Sequence, residues 1–287
     1  MLKVVLIILI ILIVILALVY LESIRELASI KITIYDIEAP GLTKDKKIVF
    51  LSDYHEAKQL NDKIVMAIDK VSPDLVLVGG DMLNGRNPGE MISTAGVLLN
   101  RIAEKYPVYY AFGNHEKKLE LDIYGNGAMW NAFRKELSPK ISFLINESID
   151  IGDGLRIYGL DIPMDYYSRG TFPELTAEKI NSLLGECDKK DYNILLGHAP
   201  DFVNGYTDWG AQLTLSGHFH GGMVRLPIIG GFVSPRIRLF PKYDYGLYLK
   251  NGRRMIVTNG LGQHSLKLRI GNIPEIVQVN LSKSKDI

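Results

Sequence analysis

From residue 4 to residue 20 the chain reads VVLIILIILIVILALVY, with no charge, no polar face and no strong helix breaker. A helix over this stretch spans roughly 25 Å, near the lower limit for crossing a bilayer. A helix buried in a soluble core would show a polar face, so the pattern predicts a membrane anchor. A cleaved signal peptide is the competing reading, and it needs small residues at an A-x-A-like site. Only Ala17-Leu18-Val19 approaches one, and it lies inside the apolar run. The stretch ESIRELASI, residues 22–30, follows as a charged stalk extending the helix toward the membrane surface. KITIYDIE then alternates apolar and polar positions and predicts the first strand.

Further along, short apolar runs recur, each breaking into a polar or glycine-rich loop. They are KIVFL before Ser52-Asp53, LVLVG before Gly80-Asp81, VYYAF before Gly113-Asn114, RIYGL before Asp161, YNILL before Gly197-His198 and LTLS before Gly217-His218. Continuous runs of this length predict strands buried on both faces. Helical periodicity falls between several of them, over 60–70, 90–104, 128–137 and 176–185. Gly96 weakens the second of these helices. Strand–helix alternation of this kind predicts an α/β sheet. After residue 210 the strands YGLYL, RMIVT and EIVQVNL follow without helices, which predicts a second sheet or an antiparallel half packed on the first. No repeat or linker interrupts 32–282. The expected division is an anchor and stalk over 1–31 and one catalytic domain over 32–287.

Composition changes this picture little. The 287 residues are 47% hydrophobic and 23% charged, as a packed body requires. A net charge of +1, from 33 basic and 32 acidic residues, argues against nucleic acid as a partner. The lone cysteine, Cys187, excludes an intramolecular disulfide framework and any cysteine-based zinc site. Lys3 and the terminal amine precede the span while Arg25 and Lys31 follow it, so basic residues do not orient it. A short N-terminus ahead of a single span more often stays in the cytoplasm. The expectation is a single-pass cell-membrane protein with an extracytoplasmic domain.

The loops after the strands carry the chemistry. In order they hold Asp53 and His55 (SDYH), Asp81 (GGD), Asn114 and His115 (GNHE), His198 (GHAPD), then His218 and His220 (GHFH). In an α/β sheet the carboxyl ends of the strands line the ligand crevice, so these loops can converge. Carboxylate, amide oxygen and imidazole without thiolate suit zinc, manganese or iron. Besides His115 the candidates are too many for one tetrahedral ion but suit two ions sharing a bridging carboxylate. Such pairs hold ions about 3.5–4 Å apart and activate water for in-line displacement at phosphorus.

These blocks resemble the calcineurin-like metallophosphoesterase family, whose motifs run D-x-H, G-D, G-N-H-[DE], G-H and G-H-x-H in that order. GHFHGGMVRLP, PKYDYGLY and TNGLG are similar to its membrane-attached bacterial branch, some members of which cleave UDP-diacylglucosamine. The resemblance covers about residues 45–280. It implies a four-layer αββα sandwich of two mixed sheets behind one transmembrane helix. It further implies one metal on Asp53, His55 and His220, a second on Asn114, His198 and His218, and Asp81 bridging both. His115 is then a general acid or charge stabiliser beside the phosphate, and the metal-bridging hydroxide is the nucleophile. Tyr54, Glu56-Ala57, Phe219 and Met223 depart from common family residues without removing a ligand.

The implied activity is metal-dependent hydrolysis of a phosphoester or pyrophosphate. The substrate is either a lipid-linked or envelope compound or a soluble small-molecule phosphate. A membrane-tethered scaffold that kept the fold and lost the chemistry is the alternative. His264 reads as structural, because nothing nearby completes a site, and Asp161 and Asp165 read as turn residues. Arg225 and Arg269 read as surface salt bridges or phosphate contacts. The stretch 226–243, LPIIGGFVSPRIRLFPKY, is either a loop tucked into the core or a basic, apolar flap touching lipid. The flap would use Ile228, Ile229, Phe232, Ile237, Leu239 and Phe240 with Arg236, Arg238 and Lys242.

Overall fold

In the computed structural model, Leu2–Leu27 forms one helix, α1, whose large apolar side chains from Val4 to Leu18 are exposed. Its 26 residues reach about 39 Å at 1.5 Å per residue. The structure describes the chain except residues 56, 88, 169–172, 223, 227–228, 233–238, 264–267 and 285–287, and the backbone alone over 89–93. Glu56, Met223, Ile228, Arg236, Ile237, Arg238 and His264 therefore lie outside the described residues.

Strands are numbered along the chain. β1 (Lys31–Ala39), β14 (Glu275–Lys283), β2 (Lys46–Leu51), β3 (Leu75–Val78), β4 (Val108–Ala111) and β5 (Ile141–Leu144) form one sheet in that order. β12 (Gly246–Lys250), β13 (Arg253–Val257), β9 (Leu213–Ser216), β8 (Tyr192–Gly197), β7 (Leu155–Leu160) and β6 (Glu147–Gly152) form the other. Each sheet is mixed: β14 runs antiparallel to β2 in the first, while β12–β13 and β6–β7 are the antiparallel pairs of the second. β10 (Arg225–Leu226) and β11 (Gly230–Gly231) make a separate short hairpin.

Every residue of β3 and β8 is buried, as expected for unbroken apolar runs covered on both faces. Ile48, Phe50 and Leu77 of the first sheet meet Ile157, Ile194, Leu215 and Ile256 of the second to form the middle of the core. Burying each such side chain is worth about 1.5–3 kcal/mol. Helices α2 (Asn61–Val71), α3 (Gly89–Ala103) and α5 (Gly127–Glu136) cover the outer face of the first sheet through Ile64, Ile68, Leu98, Leu99 and Phe133. α6 (Ala177–Leu184) and α7 (Val203–Trp209) cover the second through Ile180, Tyr206 and Trp209. The result is a four-layer αββα sandwich.

Two features depart from the sequence expectation. The strands after residue 210 do not stay together: β12 and β13 join the second sheet, but β14 returns to the first, between β1 and β2. Its apolar pattern specifies a strand but not a neighbour, because the pairing partners lie far away in the chain. The short elements β5, β6, α7 and α4 (Asn114–Glu120) also escaped the periodicity, being too brief to show one.

Candidate metal centre

Five loops leave the carboxyl ends of five parallel strands and meet in one crevice. β2 delivers Asp53 and His55, β3 delivers Asp81, and β4 runs into α4 with Asn114 and His115. β8 delivers His198 and β9 delivers His218 and His220. The crevice thus takes residues from both sheets, and hydrogen bonds stitch the two sides together. His218 N–H donates to both carboxylate oxygens of Asp53 at 3.0 Å, and His198 Nδ1–H donates to the Gly79 carbonyl at 2.7 Å.

The backbone here is strained. Asp53, His55, Asp81, His218 and His220 all have positive φ, between 41° and 68°. For residues other than glycine this conformation costs on the order of 1–3 kcal/mol and persists only where the surroundings over-determine it. Gly221 and Gly222 share the conformation, but Gly217 does not. Its glycine is required sterically, since a Cβ there would collide with the Asp53 carboxylate and Ser52 Oγ. Gly113 plays the same part opposite Asp81. The glycines of two motifs therefore make room for the carboxylates of two others.

All eight expected site residues are buried. They gather as two clusters, Asp53 with His55 and His220, and Asp81 with His198 and His218, ligand atoms within each lying 4.8 Å or less apart. His218 and His220 thus fall in different clusters. Asp81 Oδ2 lies 3.1 Å from His198 Nε2 and 4.0 Å from His55 Nε2, placing this carboxylate between the clusters. The Asn114 carboxamide reaches the same place, 3.1 Å from His218 Nδ1 and 3.3 Å from Asp81 Oδ2. Its other end lies 3.2 Å from Lys118 Nζ.

Backbone carbonyls choose the tautomers. Nδ1–H of His55, His198 and His220 donates to the carbonyls of Leu83 (3.1 Å), Gly79 (2.7 Å) and Gly262 (3.2 Å). That leaves each Nε2 as a lone pair aimed at the carboxylates, the orientation that metal-ligating histidines take. Three buried imidazole lone pairs converging on two carboxylates and a carboxamide fit divalent cations and little else.

The electrostatics agree. Burial drives the Asp53 carboxyl up to about 7, His198 opposing and Asp81 adding to the rise. Burial also pushes Asp81 upward, but His198, His115 and His55 outweigh it and hold that carboxyl well below its ordinary value. For His198 burial opposes the charge, yet Asp81 and Asp53 raise it to about 9. Burial, then His55 and Arg269, keep His220 well below the usual imidazole range. Protons are thus held in a water-poor carboxylate–imidazole cage, where a divalent cation can replace them.

A calcineurin-like phosphoesterase profile matches residues 46–222, the span that holds all eight expected site residues from Asp53 to His220. The chain belongs to the calcineurin-like phosphoesterase family. It is 31% identical over 274 residues to an uncharacterized metallophosphoesterase of Campylobacter jejuni, Cj0846, covering 93% of this chain and 67% of that one. The uncharacterized metallophosphoesterase YkuE of Bacillus subtilis is 26% identical over 240 residues, 82% of this chain and 76% of YkuE. The phosphodiesterase YaeI of Escherichia coli is 27% identical over 240 residues, 82% of each chain. With its two candidate metal clusters, this phosphoesterase is a metal-dependent hydrolase.

Other residues of the phosphoesterase escaped sequence reasoning. Glu116, part of GNHE, accepts from the N–H groups of Asp81 (2.7 Å), Met82 (2.8 Å), Leu83 (3.2 Å) and Gly113 (3.0 Å) and from Tyr110 O–H (2.8 Å). It shapes the loop that carries Asp81. Its position in the motif was the available signal. Tyr167, from an unpredicted short turn, brings its ring 5.6 Å from that of His218.

Arg269 overturns its expectation. It is fully buried rather than part of a surface salt bridge, and its guanidinium donates to the carbonyls of Asn272, Asn259, Gly260 and Gly262. Arg225 does form a salt bridge, 2.8 Å from Asp244, though a partly buried one. Asp161 is more than a turn residue, since its carboxylate pairs with Lys117 at 2.6 Å. In the 226–243 stretch, Leu226, Ile229, Phe232, Leu239 and Phe240 are exposed and so are not tucked into the core.

Proposed function

We propose that this chain is a membrane-anchored, two-metal phosphoesterase acting close to the bilayer. The observation that carries the proposal is Asp81, whose carboxylate stands between the two clusters where a bridging ligand belongs. One ion would be held by Asp53, His55 and His220, the other by Asn114, His198 and His218, with manganese, zinc or iron as the candidates. Two such cations, when bound, supply an activated water and neutralise charge on phosphoryl oxygens.

The remaining chemistry belongs to the chain. His115 Nδ1 accepts the Gly85 N–H at 2.8 Å, so the proton of the neutral ring sits on Nε2. From there the ring can donate a hydrogen bond to the leaving oxygen and stabilise the charge that develops on it, the role of a charge stabiliser. The His115 ring lies 5.1 Å from that of His55, which keeps this donor beside the metal ligands. Lys118, against Asn114, adds positive charge at the same wall.

The exposed apolar length of α1 supports single-pass anchoring, as an anchor of this length and composition spans a bilayer. We place the catalytic domain on the extracytoplasmic side, behind a short cytoplasmic N-terminus. The exposed apolar residues Leu226, Ile229, Phe232, Leu239 and Phe240 support contact with lipid and a lipid-linked substrate. The resemblance to YaeI, named a phosphodiesterase, favours a diester over a monoester.

The test pairs metal analysis with substrates. Purified protein should bind about two divalent ions per chain and hydrolyse lipid pyrophosphates dispersed in vesicles faster than soluble aryl phosphates. A preference for soluble phosphates removes the lipid reading, and a metal-free, inactive protein removes the two-metal reading. Protease digestion in intact cells places the domain outside, whereas digestion only after lysis reverses the topology.

A further inference from the structure

The last turn of α1 does not behave like a stalk. Ser23 and Glu26, one turn apart, are 1% and 3% exposed, although the apolar residues before them are open. A carboxylate and a hydroxyl buried at the end of an apolar helix need partners, and theirs all lie in one distant segment. Glu26 Oε1 accepts the Gly271 N–H at 2.9 Å and Oε2 accepts the Asn272 N–H at 3.0 Å. Ser23 Oγ accepts the Arg269 N–H at 3.0 Å.

That segment braces His220 twice. Asn272 Nδ2 donates to the His220 carbonyl at 2.5 Å, fixing its backbone. Arg269 donates to the Gly262 carbonyl at 2.6 Å, and the same carbonyl takes the His220 Nδ1–H at 3.2 Å, fixing its ring. Between these braces, Gly221 leaves no room for a Cβ against the Asn259 and Asn272 side chains. His220 itself has φ 49°, a conformation that needs such support.

We propose that Ser23 and Glu26 are positioning residues for His220, so that the helix entering the membrane is part of the support of the metal centre. The inference rests on the reading above that His220 is a ligand. Only three residues separate α1 from β1, so the domain is held to its anchor both by this short link and by the Ser23 and Glu26 contacts. Release of the last turn loosens the 217–222 loop and, through it, one of the two ions.

The test uses full-length protein in detergent, comparing Glu26→Ala, Glu26→Gln and Ser23→Ala with the control Glu22→Ala, whose carboxylate is exposed and pairs only within the helix to Arg25. Hydrogen exchange of the 217–222 amides and Mn2+ titration are the readouts. Glu26→Ala should speed exchange across 217–222 and weaken one Mn2+ site by about 10–100-fold, as loss of an outer partner does elsewhere. The other site should keep its affinity. Glu26→Gln, which keeps one acceptor oxygen, should fall between, and it carries both readouts if Glu26→Ala does not fold. Unchanged exchange at 217–222 in the glutamate variants overturns the proposal. Faster exchange in a protein that binds no Mn2+ upholds the brace and removes the two-metal reading instead.

Discussion

The Asp81 carboxylate and the His198 imidazole face each other across 3.1 Å, Oδ2 against Nε2, both buried. Because His198 Nδ1–H is committed to the Gly79 carbonyl, the neutral ring presents a lone pair to a carboxylate oxygen. Two acceptors cannot rest there without a proton or a cation between them. This pair is where the fold most plainly asks for positive charge, and Asp81 is the first residue to change.

Asp81→Asn keeps the shape of the side chain but removes the charge shared by both clusters. Metal-dependent hydrolysis of an aryl phosphate should fall by at least about a hundredfold, with the far-ultraviolet spectrum of the folded domain retained. Turnover like that of the unaltered protein would exclude Asp81 as a bridge.

Metal removal should expose a pH dependence of stability. His198 is raised to about 9 in the folded chain, against 6.5 when unfolded. A raised imidazole adds stability that is fully present below the unfolded value and lost as pH rises through the folded one. Asp53, raised to about 7, also favours the protonated fold and adds to the loss below pH 7. Thermal unfolding of chelated protein should therefore shift to lower temperature between about pH 7 and 9. His198→Gln should flatten the profile, and a flat profile in the unaltered protein would exclude this assignment.

Glu116→Ala strips the acceptor from four buried N–H groups and one phenol. Each unsatisfied buried donor costs about 1–3 kcal/mol. Urea unfolding should show a loss of at least about 3 kcal/mol after partial rescue by water. A loss under 1 kcal/mol would mean that the Asp81 loop holds its form without the carboxylate.

Gly217→Ala tests the steric logic of the GHFH block. Its new methyl would press on the Asp53 carboxylate and Ser52 Oγ, which lie too close to move apart cheaply. Divalent-ion affinity should drop while Gly96→Ala, on α3 where a Cβ would meet only Phe133 at ordinary contact distance, leaves it unchanged. Equal affinities in both variants would show a looser cradle.

Much of this molecule is legible along the chain because its signals are local. The apolar runs of β2, β3, β4, β8 and β9 each break into the loop that carries a candidate ligand, so strand, boundary and chemistry appear in adjacent residues. The convergence of the loops followed from one rule, that strand ends line the crevice. The apolar α1 was equally plain.

Tertiary structure decided the rest, because those relations join residues far apart in sequence. β14 reads as a strand anywhere, yet only the packed sheets seat it between β1 and β2. Arg269 looks like a surface cation until four carbonyls surround it, and Glu26 looks like a stalk residue until it meets Asn272, 246 positions away. Hydrophobic periodicity records which face of an element is buried. It carries no record of which polar group, brought from the other end of the chain, waits on the buried side.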